Sequence, residues 1–170
     1  MNHALDAFER HLGFPKSRAR SIVPRLQDAG LVEHGAPGVA PQINDIGFAA
    51  LFLAIAGDTT IRETAPRVER LFAMTPGGAS LDGAPASIPT ARRALLDLIE
   101  TSLVGEDLPT AIEVVSNFDE MSVAWPGDVV ERFQPTGVQP GHWQVTSHRR
   151  ACIVTGSAFA KAVRATFARI

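Results

Sequence analysis

The composition of this 170-residue chain is that of a globular protein, because 45% of its residues are hydrophobic and only 20% are charged. Such a chain can bury a core, which excludes wholesale disorder. The longest apolar run, residues 46–56, is about half the length of a membrane span, and the first residues lack the pattern of a signal peptide. A single cysteine, Cys152, excludes an internal disulfide. We therefore expect a cytoplasmic protein without membrane partners.

The net charge of −2 conceals an uneven distribution of charge along the chain. Residues 10–27 contain five basic residues and no acid, and residues 132–170 contain six basic residues and no acid. Residues 28–131 hold 16 acidic residues against 5 basic ones, a net charge of −11. A polyanion would be attracted to both ends and repelled by the middle. The competing interpretation is that surface charges cluster by chance.

The first 43 residues predict a helix-turn-helix followed by a wing. Apolar residues at spacings of three and four predict a helix over residues 4–12, and Gly13 and Pro15 then turn the chain. A second helix is predicted from residue 16 or 17 to residue 29. Residues 31–32 and 39–43 then predict a two-stranded ribbon that turns at the glycines 35 and 38. The predicted core face of the second helix consists of Ile22, Val23, Leu26 and Ala29.

The middle of the chain predicts two helices and a linker. Asn44 or Asp45 is expected to cap a helix that ends at Gly57. This helix is too apolar for the surface, so we expect it to pack under the first two helices and to contribute to a subunit interface. A further helix begins at Thr60 or Thr64. Residues 75–89 consist mostly of Gly, Ala, Pro and Ser, which predicts a flexible linker.

The C-terminal part predicts a helix, four strands and a closing helix. Thr90 is expected to cap a helix that extends to residue 103. A period of two then predicts strands at residues 112–115, 121–125, 129–133 and 143–154, joined as an antiparallel meander. A last helix begins at Ser157. The predicted fold class is therefore α+β, with a winged helix-turn-helix domain at residues 1–74, a linker at 75–89 and an α+β domain at 90–170 that serves oligomerisation.

Basic and hydroxyl side chains on the second helix favour binding of double-stranded DNA. A recognition helix enters the major groove with its N-terminal half, where arginine can bind guanine and lysine can meet phosphate. The predicted contacts are Lys16, Ser17, Arg18, Arg20, Ser21 and Arg25, together with His34 near the tip of the wing. Pro24 is expected to kink or divide this helix near Val23, which places Arg25 in question. A second basic region consists of Arg149, Arg150, Lys161, Arg164 and Arg169.

Two runs of residues resemble the winged helix-turn-helix segments of small bacteriophage and prophage proteins. They are His11-Leu12-Gly13-Phe14-Pro15 with Ser17-Arg18-Ala19-Arg20, and Arg25-Leu26-Gln27-Asp28-Ala29-Gly30-Leu31. The resemblance covers about residues 1–57, and the second run is common among winged-helix proteins. It implies duplex DNA as the partner. By layout it implies a small-terminase subunit of a DNA-packaging machine, which would form a homo-oligomeric ring and serve a large-subunit motor protein.

The sequence gives little support for metal binding or catalysis. The five histidines lack the paired spacing that zinc requires, so we expect no metal and no cofactor. The acidic pairs at residues 106–107 and 119–120 fall at predicted turns, where solvated acids are the usual explanation. No phosphate-binding loop or nucleophile elbow is present. We therefore do not expect an enzyme. Two alternatives to packaging stay open, namely a dimeric winged-helix transcriptional regulator and a structural or adaptor protein that binds no DNA.

Overall fold

The computed structural model describes residues 1–35, 41–83, 88–105, 107–138 and 148–167. Within these ranges the chain forms helices packed on one antiparallel sheet, which confirms the α+β class. The helices are α1 (Asn2–Ala7, continued by a π-helical turn, Phe8–Leu12), α2 (Lys16–Asp28), α3 (Asp45–Ala56), α4 (Thr64–Ala73), α5 (Ala91–Val104) and α6 (Gly156–Phe167). The strands are β1 (Thr75–Pro76), β2 (Ala111–Val115), β3 (Met121–Trp125), β4 (Val129–Gln134) and β5 (Ala151–Thr155).

The two predicted N-terminal helices are present. Gly13 adopts a left-handed conformation with φ of 73° and separates the π-helical turn from α2. Of the two outcomes expected at Pro24, division of the second helix is wrong, because α2 runs without interruption to Asp28, whereas a kink stays a prediction. Arg20 and Pro24 both lie on the exposed side of α2, where water can solvate the carbonyl group that Pro24 leaves without a donor. Ala29 is exposed and therefore does not belong to the core face.

The predicted wing is not confirmed. Residues 31–35 and 41–44 contain no strand, and the remainder of the predicted ribbon, residues 36–40, lies outside the described residues. The amides of Leu31 and Val32 both donate to the carbonyl of Leu26, at 2.8 and 3.2 Å. These bonds close the end of α2 behind Gly30, whose φ is 71°. The donors that a ribbon would need are thereby used by the preceding helix.

Helix α3 forms the centre of the molecule. The side-chain oxygen of Asn44 accepts a hydrogen bond from the amide of Gly47 at 2.8 Å, which confirms the predicted cap. Every residue from Gly47 to Ala56 is buried, and α2, α4 and α5 pack around the helix. The packing under α2 is confirmed. The expectation that α3 also forms a subunit interface is wrong, because its own chain already covers its apolar surface.

The five strands form one sheet in the order β1-β4-β3-β2-β5, with every neighbouring pair antiparallel. Three consecutive strands form the predicted meander, and β5 pairs with β2. Strand β1 lies inside the segment that we predict to be a linker, so Thr75 and Pro76 are ordered sheet residues. Strand β5 begins at Ala151, later than predicted. The first part of the predicted strand, up to residue 147, lies outside the described residues.

The hydrophobic core extends over both sides of the predicted linker. Residues of α1 to α4, of α5 and α6 and of the sheet belong to one cluster of buried side chains. At the junction of β5 and α6 the backbone passes so close to Pro109 that a Cβ atom on Gly156 would lie 1.8 Å from the Pro109 carbonyl oxygen. None of the helices in the described ranges has the length and apolar character needed to cross a membrane.

Candidate nucleic-acid interface

The exposed side of α2 carries four of the predicted DNA contacts. Ser17, Arg20, Ser21 and Arg25 are all exposed, whereas Ile22 and Leu26 on the opposite side are fully buried. Within the described ranges, Arg20 forms no ion pair, so its guanidinium is available to a ligand. The Ser21 hydroxyl donates to the carbonyls of Ser17 and Arg18 at 3.2 and 2.9 Å. We call Ser17, Arg20, Ser21 and Arg25 the α2 face.

Acidic neighbours partly neutralise two of the predicted cations. Lys16 forms a hydrogen-bonded ion pair with Asp6 of α1. This bond from Lys16 lowers the pKa of the Asp6 carboxyl. Arg25 lies 3.5 Å from the carboxylate of Asp28, one turn further along α2. Both pairs are open to solvent, where ion pairs are weak and a phosphate can compete for the cation.

Arg18, which we predict to be a DNA contact, does not point outwards with the four residues of the α2 face. Its guanidinium turns towards the end of α3, where it donates to the carbonyl of Thr59 and lies 3.9 Å from the Asp58 carboxylate. The carbonyl groups at the end of a helix carry partial negative charge, which stabilises a cation there. Arg18 therefore braces α2 against α3. His34 is exposed, beyond the end of α2, and lies beside the part of the predicted wing that the structure does not describe.

The second basic region does not form one surface. The Arg164 Nε donates to the carbonyl of Ser102 at 2.8 Å, near the end of α5. Lys161 is exposed and, in the part of the chain that is described, makes no ion pair. Arg150 is largely exposed and reaches Ser116 and Asp58. Arg169 lies outside the described residues.

Arg149 belongs to an ion-pair network that sequence reasoning missed. Its Nη2 lies 2.7 Å from Glu120 and 3.1 Å from Glu113. The Glu120 carboxylate is fully buried, and it also accepts a hydrogen bond from Gln134 at 3.1 Å and lies 3.4 Å from Arg132. Burial lowers the pKa of Arg149, but its hydrogen bonds to the two carboxylates outweigh this effect and raise the pKa above its ordinary value. No local motif indicates this network, because its members come from β2, from β4 and from the residues just before β3 and β5.

The two basic segments of the sequence meet at Asp58. Its carboxylate lies 3.9 Å from Arg18 and 3.7 Å from Arg150, although these residues are far apart along the chain. An open cleft of about 470 Å³ lies at this point. Asp58 follows Gly57 at the end of α3 and has a φ of 48°. We call this feature the Arg18–Arg150 cleft, and the sequence offered no sign of it.

Among the described residues, no three His, Cys, Asp or Glu side chains are grouped so that they could hold a metal ion. Comparison with known proteins yields no match to a family model, to a curated protein or to a solved structure.

Proposed function

We propose that this chain binds double-stranded DNA through the α2 face. The observation that carries the proposal is that Ser17, Arg20, Ser21 and Arg25 are exposed together on one helix. The helix contains no acidic residue before its last residue, Asp28. Hydroxyl and guanidinium groups donate hydrogen bonds, and phosphates and base edges accept them. The opposite side of α2 is buried in the core, which gives these side chains a fixed support.

The dimensions of α2 suit the major groove. A helix of 13 residues is about 20 Å long, and the major groove admits an α-helix with its side chains. We assign Arg20 the central contact, because it has no competing acid within the described ranges. Arg25 would exchange Asp28 for phosphate. Arg18 is left out of this interface because its guanidinium turns towards Thr59 and Asp58, away from the α2 face.

The test is a comparison of two double variants by fluorescence anisotropy with duplex DNA over a range of salt concentrations. We expect Arg20→Ala with Arg25→Ala to weaken binding and to reduce the slope of log affinity against log salt by about 2, since each lost phosphate contact removes about one unit. The control is Arg62→Ala with Arg93→Ala. It removes the same charge from the acidic middle of the chain, and like the first pair it contains one arginine in a helical ion pair, Arg93 with Asp97.

Equal effects of the two double variants would show that binding follows net charge and not the α2 face. The absence of any salt-dependent DNA binding would overturn the proposal and favour the adaptor alternative. The ion pairs of Lys16, Arg18 and Arg149 support that alternative, because they satisfy much of the positive charge within the chain.

The biological role within DNA binding is proposed from the resemblance of the N-terminal residues to phage proteins. A packaging subunit requires a closed ring of many copies, whereas a regulator requires a dimer that matches a palindromic site. Light scattering distinguishes the two by the number of 18.1 kDa chains in the particle. A single chain in solution, with and without DNA, would contradict both roles.

A further inference from the structure

The Arg18–Arg150 cleft combines two cations with an apolar wall. Four separate parts of the fold supply its polar groups, because Arg18 comes from α2, Asp58 follows α3, Ser116 follows β2 and Arg150 precedes β5. The remaining lining is largely apolar and consists of Phe14, Pro15, Ile55, Ala56, Ala151 and Cys152. A cleft of this composition matches a ligand that has a charged head and a hydrocarbon body.

The charge inside the cleft is not balanced. Asp58 is the acid among the lining residues, and it lies between two guanidinium groups, which leaves a net charge of +1. Its distances of 3.9 and 3.7 Å to the two arginines exceed the 2.7–2.9 Å that is typical of a charge-assisted hydrogen bond. The Asp58 side chain is also 68% exposed. It therefore holds the arginines weakly, and an incoming anion can take its place.

We propose that the cleft binds a small organic anion, with its carboxylate or phosphate head between Arg18 and Arg150 and its apolar part on the wall formed by Phe14 and Ile55. The Ser116 hydroxyl, which is 3.3 Å from the Arg150 Nε, lies beside the head. The inference does not depend on DNA binding by the α2 face, because the cleft uses none of the four residues of that face.

The only cysteine of the chain provides a direct readout, because Cys152 lines the cleft. Burial raises the pKa of its thiol, so alkylation by the neutral reagent N-ethylmaleimide is expected to be slow and is best followed at mildly alkaline pH. We expect hexanoate or hexyl phosphate to slow the alkylation further in a saturable manner. The comparison of these two probes identifies the preferred head group. 1-Hexanol tests the apolar wall alone, and acetate tests the head alone.

Three single variants test the assigned charges. Arg18→Gln and Arg150→Gln should each raise the concentration of hexanoate that gives half protection by about fivefold. Asp58→Asn should lower this concentration by about fivefold. Both changes are of the size expected for the gain or loss of one exposed charge contact. Asparagine tolerates the left-handed backbone of Asp58, so this variant should keep its fold. The matched control is Arg62→Gln, which removes an exposed arginine outside both the cleft and the α2 face and should leave the half-protection concentration unchanged.

Several outcomes would overturn the proposal. Equal protection by 1-hexanol and hexanoate would show an apolar cleft without anion recognition. If Asp58→Asn leaves the hexanoate concentration for half protection unchanged or raises it, the carboxylate does not compete for the arginines. Protection by duplex DNA with none by hexanoate would assign Arg18 and Arg150 to the DNA interface. Absence of protection by both organic anions would show that the cleft binds neither.

Discussion

At the scale of single residues, the fully buried carboxylate of Glu120 is the most demanding feature of the molecule. A buried charge is stable only when its partners compensate for the loss of water. Glu120 has this compensation from Arg149, Arg132 and Gln134. Each of these groups would be an ordinary surface residue if its neighbours were absent. Their individual importance therefore follows from the fold and not from the residue type.

The network gives a prediction for stability. Glu120→Gln should lower the free energy of unfolding by about 2–4 kcal/mol. The substitution removes the negative charge of the fully buried Glu120 carboxylate, and Arg149 thereby loses this ion-pair partner. Urea unfolding measures the difference. Glu113→Gln is the control, since this carboxylate contacts the same arginine but is 24% exposed. A loss from Glu120→Gln no larger than that from Glu113→Gln would contradict the assigned role of burial.

At the scale of elements, helices were predicted better than strands because their signals are local. The caps Asn44 and Thr90 and the left-handed Gly13 each define a helix end within a few residues of sequence, and all three are confirmed. Strand β1 has only two residues and exists because β4 lies next to it, which no local pattern reveals. The pairing of β5 with β2 is equally a matter of long-range contacts.

The candidate site was predictable only in part, for the same reason. The periodicity of α2 correctly placed Arg20 and Ser21 outside and Ile22 inside. It placed Arg18 on the outer side as well, because a helical repeat carries no information about the loop after α3 that attracts this arginine. The Arg18–Arg150 cleft and the Glu120 network join residues that are distant in sequence. A single sequence does not contain such pairings in readable form.

The uninterrupted helix through Pro24 leads to a second stability prediction. Pro24→Ala restores a backbone donor for the Arg20 carbonyl in the interior of α2, so we expect the free energy of unfolding to rise by about 1–3 kcal/mol. Pro66→Ala is the matched control, because Pro66 lies in the first turn of α4, where the amide has no helical partner. Urea unfolding compares the two variants. Similar changes at both positions would indicate an effect on the unfolded chain and not on α2.

At the scale of the whole molecule, the last helix holds the first part of the chain in place. The ring of Phe159 in α6 lies 5.8 Å from that of Phe48 and 5.2 Å from that of Phe52, both in α3. Helix α6 also packs against α1 and α5. The regions on either side of residues 75–89 thus share one hydrophobic core. Their relation as separate domains stays a prediction that cooperative unfolding can test.

We expect Phe159→Ala to lower the free energy of unfolding by about 3–5 kcal/mol, because it opens a cavity between α6 and α3. Hydrogen exchange of the α3 amides should accelerate along with that of the sheet amides. Ile153→Ala is the control, since this side chain is 67% exposed and its loss should cost less than about 0.5 kcal/mol. Unchanged protection of α3 in Phe159→Ala would show that the N-terminal helices are stable without α6.

The contact between α3 and α6 also has a consequence for biosynthesis. A ribosome releases α3 long before α6, so the apolar residues 46–56 emerge while Phe159, whose ring packs on Phe48 and Phe52, is still untranslated. During that interval the nascent chain exposes its most hydrophobic segment. Such a chain is a natural client for a chaperone that binds extended apolar peptides. We therefore expect fragments that end before α6 to aggregate instead of forming a functional N-terminal unit.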